Sequence, residues 1–105
     1  MAKFMFIYHG GSAPESEEEG KKVMAAWESW LGGIGSQGKL IDPGAPAGAS
    51  KTVTSGGVAD DGGANPASGY TLIEAASIDE AVAHAKGCPI LEGGGSVEVA
   101  EALPM

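Results

Sequence analysis

The chain is 105 residues long, and its fourteen acidic residues outnumber its six lysines, which gives a net charge of -8. This length predicts a single domain, residues 1–105, built around one core. The acidic charge and the lack of any arginine remove the usual means of holding a phosphate backbone, so nucleic acid is not an expected partner.

Sequence signals for export or membrane insertion are also missing. The start, Met1 to Ile7, lacks the longer apolar region and the cleavage site of a signal peptide, and no apolar run approaches the length of a membrane span. Cys88 is the one cysteine, so no internal disulfide can form. We therefore expect a soluble cytoplasmic protein with no membrane partner.

The first predicted strand runs from Lys3 to Tyr8 or His9 and is apolar on both sides. Its alternate positions are Phe4, Phe6 and Tyr8 on one face, and Met5, Ile7 and His9 on the other. A strand with one face in water would alternate between apolar and polar residues, so this one predicts cover on both faces. Two predicted helices can cover one face. We expect a second copy of the chain to cover the other face, which predicts a homodimer.

The first helix is predicted to begin at Ser16, which forms a capping box with Glu19. Its apolar residues fall on one helical stripe, and three glycines are expected to end the pattern before a turn at Gln37 and Gly38. The stripe comprises Val23, Trp27, Trp30, Leu31 and Ile34, and the glycines are Gly32, Gly33 and Gly35.

A short second strand, residues 39–41, is expected to close at Asp42 and Pro43. The chain from there to Ser68 is rich in Gly, Ala, Pro and Ser, apart from a β-like segment at residues 51–54. Structureless connections of that length are uncommon in compact domains, so the region is predicted either to carry an extra hairpin or to cover a site.

The last third reads as strand, capped helix, stop and strand. A strand at residues 69–74 precedes a helix capped by Ser77 and Glu80, and Gly87 is expected to end that helix in the left-handed conformation. Its predicted apolar face is Ile78, Ala81, Val82 and Ala85. The full β-α-β, hairpin, β-α-β order predicts an α+β fold, a ferredoxin-like sandwich.

The same tracts resemble the YCII-related, or DGPF, domain family. The resemblance rests on Asp79-Glu80-Ala81, Gly87-Cys88-Pro89, Gly93-Gly94-Gly95 and Val97-Glu98-Val99. It implies a small dimeric α+β barrel whose relatives act on lactone-type small molecules in a few cases and accompany alternative sigma factors in others.

Two departures from that family bear on function. Residues 55–60, Ser55 to Asp60, replace the aspartate, proline and phenylalanine of the segment that names the DGPF branch. In the branch thought to be enzymatic, a histidine on the first helix pairs with an aspartate, and Trp27 takes that histidine position here. The resemblance therefore implies no inherited catalytic dyad.

His9 and Asp42 are the candidate catalytic residues, because each ends a predicted strand. The pKa of a histidine suits general acid–base chemistry, and Asp42 could orient it or a substrate hydroxyl. Equally, His9 is explained by packing at a sheet edge or dimer seam, and Asp42 by turn chemistry. Trp27, Tyr70 and Ser55 are candidate substrate contacts, although Trp27 and Trp30 are also explained as core residues.

Two classes of function remain open from the sequence. The first is a dimer that binds a small polar or cyclic organic molecule in a cleft between the sheet and the first helix. The second is a non-catalytic interaction or regulatory protein built on the same dimer. Neither a cofactor nor a metal is expected, because His9 and His84 lie far apart and no ligand spacing accompanies them.

Overall fold

The structure, a computed structural model, describes residues 1–104. Four strands form an antiparallel sheet, two α-helices pack on it, and two short strands form a separate hairpin. In chain order the elements are β1 (Ala2–His9), α1 (Glu17–Ser36), β2 (Leu40–Pro46), β3 (Thr52–Thr54), β4 (Gly57–Ala59), β5 (Ala67–Ala75), α2 (Ile78–Ala85), a 3-10 helix (Pro89–Gly93) and β6 (Ser96–Ala102).

The strand order confirms the ferredoxin-like α+β sandwich. The sheet runs β2-β5-β1-β6, and each neighbouring pair is antiparallel. Consequently β1 and β2, which flank the first helix in sequence, point the same way but are separated by β5. The same holds for β5 and β6, which are separated by β1.

The two faces of the sheet differ in cover. We call one the helix-covered face; it carries the buried side chains Phe4, Phe6, Tyr8, Thr71 and Ile73, together with Ala81 and Ala85 of α2. The open face is the opposite one, to which the alternate residues Met5, Ile7, His9, Tyr70, Leu72 and Glu98 belong. Both α-helices lie on the helix-covered face, so no α-helix within residues 1–104 packs on the open face.

Both helices begin where the sequence predicts. The Ser16 and Ser77 hydroxyls accept hydrogen bonds from the amides of Glu19 and Glu80, each at 3.1 Å. The carboxylates of Glu19 and Glu80 in turn accept hydrogen bonds from the amides of Glu15 and Ala76, the residues just before the two caps. These contacts satisfy amides that have no partner inside the helix.

The helix ends depart from the sequence prediction. Helix α1 continues through its glycines to Ser36, and the left-handed residue that follows is Gly38, with φ of 72°. Gly87 does not adopt the left-handed conformation, so that prediction was wrong. A Cβ there would lie 3.4 Å from the Trp30 ring, which is ordinary van der Waals contact, so neither φ nor space requires glycine at this position.

Only part of each predicted apolar stripe is buried. On α1, Ile34 is buried and Val23 is 37% exposed. On α2, Ala81 and Ala85 are buried whereas Ile78 and Val82 are exposed. The helix therefore approaches the sheet through its small residues, because an alanine face allows a closer approach than a face of branched side chains.

Strand β2 does not end at Asp42 and Pro43, contrary to the prediction. It continues to Pro46 through an irregular stretch in its pairing with β5. The Asp42 carboxylate accepts from the Gly44 amide at 2.8 Å, and the Pro43 carbonyl accepts from the Thr71 hydroxyl at 2.9 Å. The first bond closes the turn within β2 and the second holds the bulge against β5, so the turn residues interrupt the ladder without ending the strand.

The connection between β2 and β5 contains the extra hairpin, one of the two predicted alternatives. Strands β3 and β4 pair antiparallel. Near the base of the hairpin, Lys51 contacts Asp60 at 3.3 Å and the Thr52 hydroxyl donates to the Asp61 carbonyl at 2.7 Å. Val53 and Val58, which pair across the hairpin, are 75% and 61% exposed.

Candidate functional site

His9 ends β1 on the open face of the sheet. Because strand side chains alternate, Tyr8 points to the helices and His9 points away from them. Its Nε2 lies 3.0 Å from a carboxylate oxygen of Glu98 on β6, and its Nδ1 lies 3.2 Å from the Pro66 carbonyl oxygen. The His9 side chain is 12% exposed and that of Glu98 is 57% exposed. The ring is therefore held between β6 and the end of the β2–β5 connection.

These contacts favour the charged form of His9. A carboxylate and a carbonyl are both acceptors, and only the imidazolium has an N–H for each. The hydrogen bond to Glu98, followed by that to Pro66, raises the pKa of His9 above its ordinary value of 6.5. His9 is thus set up to carry a positive charge and a proton rather than to act as a base.

Asp42 lies on a different part of the sheet from His9. Asp42 is paired with Leu72, which is paired with Met5, four residues before His9 on β1. That offset alone is roughly 13 Å along the strand. Besides the Gly44 amide, the Asp42 carboxylate accepts a 3.4 Å hydrogen bond from the Tyr70 hydroxyl. The structure therefore brings Asp42 to Tyr70 and does not bring it to His9.

The predicted cleft between the sheet and α1 is filled by aromatic rings. The Tyr8 and Trp27 ring centroids are 5.0 Å apart, those of Phe6 and Trp30 are 5.9 Å apart, and the two indoles are 5.7 Å apart. The Trp30 indole N–H also donates to the His84 carbonyl at 2.9 Å. Trp27 is thus on the helix-covered face, opposite Tyr70, and the two cannot line one pocket.

Ser55, the remaining predicted contact, lies in the turn between β3 and β4, where it is exposed. The position is the tip of the hairpin. The structure therefore places the five predicted residues in three regions: His9, Asp42 and Tyr70 on the open face, Trp27 under the helix, and Ser55 on the hairpin.

A depression of about 460 Å³ lies beyond the end of β1. Its lining comes from the start of the β1–α1 loop and both ends of the β2–β5 connection: Gly10, Gly11, residues 47–48, Ser50, residues 60–62 and residues 66–68. His9 adjoins it, since His9 precedes Gly10 and contacts the Pro66 carbonyl. The Ser68 hydroxyl oxygen is buried there and has no hydrogen-bond partner within residues 1–104.

Glu98, Pro66 and Ser68 were missed by the sequence prediction. The alternation of Val97, Glu98 and Val99 does indicate that Glu98 faces away from the helices, which is a usable signal. Its pairing with His9, 89 residues earlier, leaves no local signal because it depends on β1 and β6 being neighbours.

A second polar cluster lies on the other side of the molecule, where α2 meets the start of β2. The Lys39 ammonium contacts the Glu80 carboxylate, and His84 Nε2 lies 3.9 Å from the same oxygen. The hydrogen bond from Lys39 lowers the pKa of Glu80 below its ordinary value of 4.5. This cluster joins the helix to the sheet and contributes nothing to the open face.

Among residues 1–104, no group of three or more His, Cys, Asp or Glu side chains is arranged to hold a metal ion. Over the same residues, none of the helices has both the length and the apolar character needed to cross a membrane.

Comparison with known proteins supports the fold. No protein-family model matches the chain, and no curated protein sequence matches it. Among solved structures it is similar to 5-chloro-2-hydroxyhydroquinone dehydrochlorinase (TftG) from Burkholderia phenoliruptrix AC1100, in complex with 2,5-dihydroxybenzoquinone. The TM-score is 0.55 and the identity 18%, over 96% of this chain and 95% of that one. At that identity the likeness concerns the α+β fold.

Proposed function

We infer that the protein binds a small polar or cyclic organic molecule at the His9 end of its sheet, as a homodimer formed through the open face. The observation that carries this proposal is the His9–Glu98 pair, which stands at the edge of an uncovered sheet face and beside the depression. His9 in its charged form would supply the positive charge and the proton for an oxygen of the ligand.

The dimer part of the proposal rests on the composition of the open face. Met5, Ile7 and Leu72 form an apolar centre on it, and the polar residues His9, Glu98 and Asp42 lie around that centre. Apolar centres with polar rims are typical of interfaces between protein chains. A second sheet packed there would complete a barrel, with an expected total interface above about 1,200 Å².

Two considerations support the ligand class. The solved structure to which the chain is similar holds a small cyclic dihydroxylated quinone. The resemblance to the YCII-related family extends over nearly the whole chain, and we propose that this is a divergent member of it. A cytoplasmic location belongs to the same proposal.

The alternative is a non-catalytic interaction or regulatory dimer. It is favoured by one observation, the aromatic filling of the space between α1 and the sheet, since that was the cleft expected of a binding protein. The two functions share the dimer and differ in whether the His9 end takes a ligand.

The dimer is tested by Met5→Glu, which puts a charge among apolar neighbours on the open face. Light scattering at micromolar concentration should show a dimer for the wild type and a monomer for this variant. Val82→Glu is the matched control, because Val82 is an exposed apolar residue on α2, and it should stay dimeric. A wild-type monomer would contradict the proposed assembly.

Ligand binding is tested by thermal shift at pH 6 with 2,5-dihydroxybenzoquinone and a panel of small cyclic hydroxylated and carboxylated compounds. At least one compound should stabilise the wild type and have no effect on His9→Gln. His84→Gln, which removes the other histidine, should keep the shift. A panel without any His9-dependent shift would favour the interaction protein instead.

A further inference from the structure

His9 connects three separate parts of the chain at the end of the sheet. It belongs to β1, its Nε2 is 3.0 Å from Glu98 on β6, and its Nδ1 is 3.2 Å from the carbonyl of Pro66 in the β2–β5 connection. Pro66 is followed directly by β5 and lies seven residues after the hairpin ends at Ala59. The ring contact to Pro66, next to the backbone pairing of His9 with Ala67, therefore joins the end of the segment 60–66 to the sheet, and four residues of that segment line the depression.

The double contact requires the charged ring. Neutral imidazole carries one N–H, so on losing a proton His9 can keep only one of its two bonds. The remaining proton is retained on the nitrogen that faces the carboxylate, because a hydrogen bond to a charged acceptor is stronger than one to a carbonyl. Nδ1 would then present a lone pair to the Pro66 carbonyl oxygen, and the contact becomes repulsive.

The surroundings contain one charged group in direct contact with the ring. This charged group is Glu98, on β6. The carbonyls of Asn65 and Pro66, in the β2–β5 connection, also face the ring. The cross-strand neighbours of His9, Ala67 on β5 and Ser96 on β6, are uncharged. Asp60 and Asp61 line the depression farther along; Asp60 contacts Lys51, and Asp61 accepts from the Gly63 amide. Glu98 and the two carbonyls favour the protonated ring, and the partial burial of the ring opposes them less strongly.

We propose that His9 is a pH-operated clip that holds the segment 60–66 against the sheet while it is protonated and releases that segment when it loses its proton. The clip regulates the depression, and in that respect it rests on the proposed function, which places the ligand there. The direction follows from the two acceptors that the ring nitrogens face, because only the protonated ring has an N–H for each. The clip is closed below about pH 6.5 and opens as the pH rises through the higher value reached in the fold.

NMR on the ligand-free protein tests the clip. Between pH 5.5 and 8.5, the His9 ring should titrate above 6.5, and the Pro66 carbonyl carbon shift should follow it with the same midpoint. The backbone order parameters of residues 61–65 should fall from about 0.8 to below about 0.6 over that titration. Unchanged order parameters while His9 titrates would overturn the proposal.

Two variants on β6 make the test specific. Glu98→Gln removes the charge that faces His9 and should lower all three midpoints together. Glu101→Gln removes a charge from the same strand away from His9 and should leave them unchanged. Equal midpoints in Glu98→Gln and the wild type would count against the clip.

The outcome is separable from the ligand proposal. Binding of 2,5-dihydroxybenzoquinone by a protein whose segment 61–65 does not respond to pH would leave the proposed function standing and remove the clip. If the segment 61–65 responds to pH but the protein binds no compound of the panel, the clip would stand and the proposed ligand binding would be contradicted.

Discussion

The two faces of the sheet are built from the same strands and yet serve different purposes. On the helix-covered face, Phe4, Phe6 and Ile73 are at most 1% exposed, and aromatic rings from α1 fill the space above them. The open face has half-buried apolar residues with polar pairs at its margin, His9 with Glu98 and Asp42 with Tyr70. One face therefore stabilises the fold, and the other leaves contacts available for a partner or ligand.

The largest effect is expected from Trp30→Ala, on the helix-covered face. The indole stacks on Phe6 and donates to the His84 carbonyl, so its loss removes both packing and a hydrogen bond between α1 and α2. We expect the free energy of unfolding to fall by about 3 to 5 kcal/mol in urea titrations. Trp30→Phe, which keeps a ring, should lose clearly less. A loss below about 1 kcal/mol would mean that the helix-covered face is not the main source of stability.

An intermediate effect is expected at Gly44, where β2 shifts its register. Gly44 has φ of 76°, and a Cβ would fall 1.7 Å from the Tyr70 carbonyl oxygen. Gly44→Ala should cost about 3 kcal/mol, from the left-handed conformation and the overlap with backbone together. Gly38 has a similar φ of 72° with nothing within 4 Å, so Gly38→Ala measures the conformational part alone, about 1 to 2 kcal/mol. Similar losses in both variants would mean that β2 does not approach β5 so closely.

The smallest effect is expected on the open face, from Tyr70→Phe. Tyr70 is 44% exposed and its 3.4 Å bond to Asp42 is long, so the free energy of unfolding should change by less than about 1 kcal/mol. Ligand binding at the His9 end should be unaffected, because the hydroxyl that is removed bonds to Asp42, which lies four residues from His9 along the sheet. A fall in the free energy of unfolding as large as that for Trp30→Ala would mean that the open face stabilises the fold as much as the helix-covered face does.

The parts of the fold that the sequence predicts are those encoded by neighbouring residues. Ser16 and Ser77 each cap a helix through an amide three residues ahead, so both starts were predictable. The end of β2 was not, because the contacts that carry the strand past Pro43 come from Thr71 and Tyr70, 28 residues away in the chain. An aspartate and a proline in sequence indicate a turn, and only the neighbouring strand shows that the turn is a bulge.

The candidate site was predicted less completely for the same reason. His9 could be singled out as a polar residue ending an apolar strand. Its partners Pro66 and Glu98 lie 57 and 89 residues later, and their approach depends on the strand order β5-β1-β6. Trp27 was predicted to line a cleft because it falls on the apolar face of α1. Helical spacing does not show whether such a face borders an empty pocket or packs tightly against the sheet.

The pair of indoles has a spectroscopic consequence. The chain contains two tryptophans, both on α1, with centroids 5.7 Å apart and planes inclined at 82°. All tryptophan emission therefore arises where this helix meets the sheet, and at such a separation the excited states of the two rings couple. Tryptophan fluorescence consequently reports the docking of α1 on the sheet. In Tyr8→Phe, where Tyr70 is the one tyrosine left, tryptophan emission and the tyrosine signal would thus observe opposite sides of the sheet in a single sample.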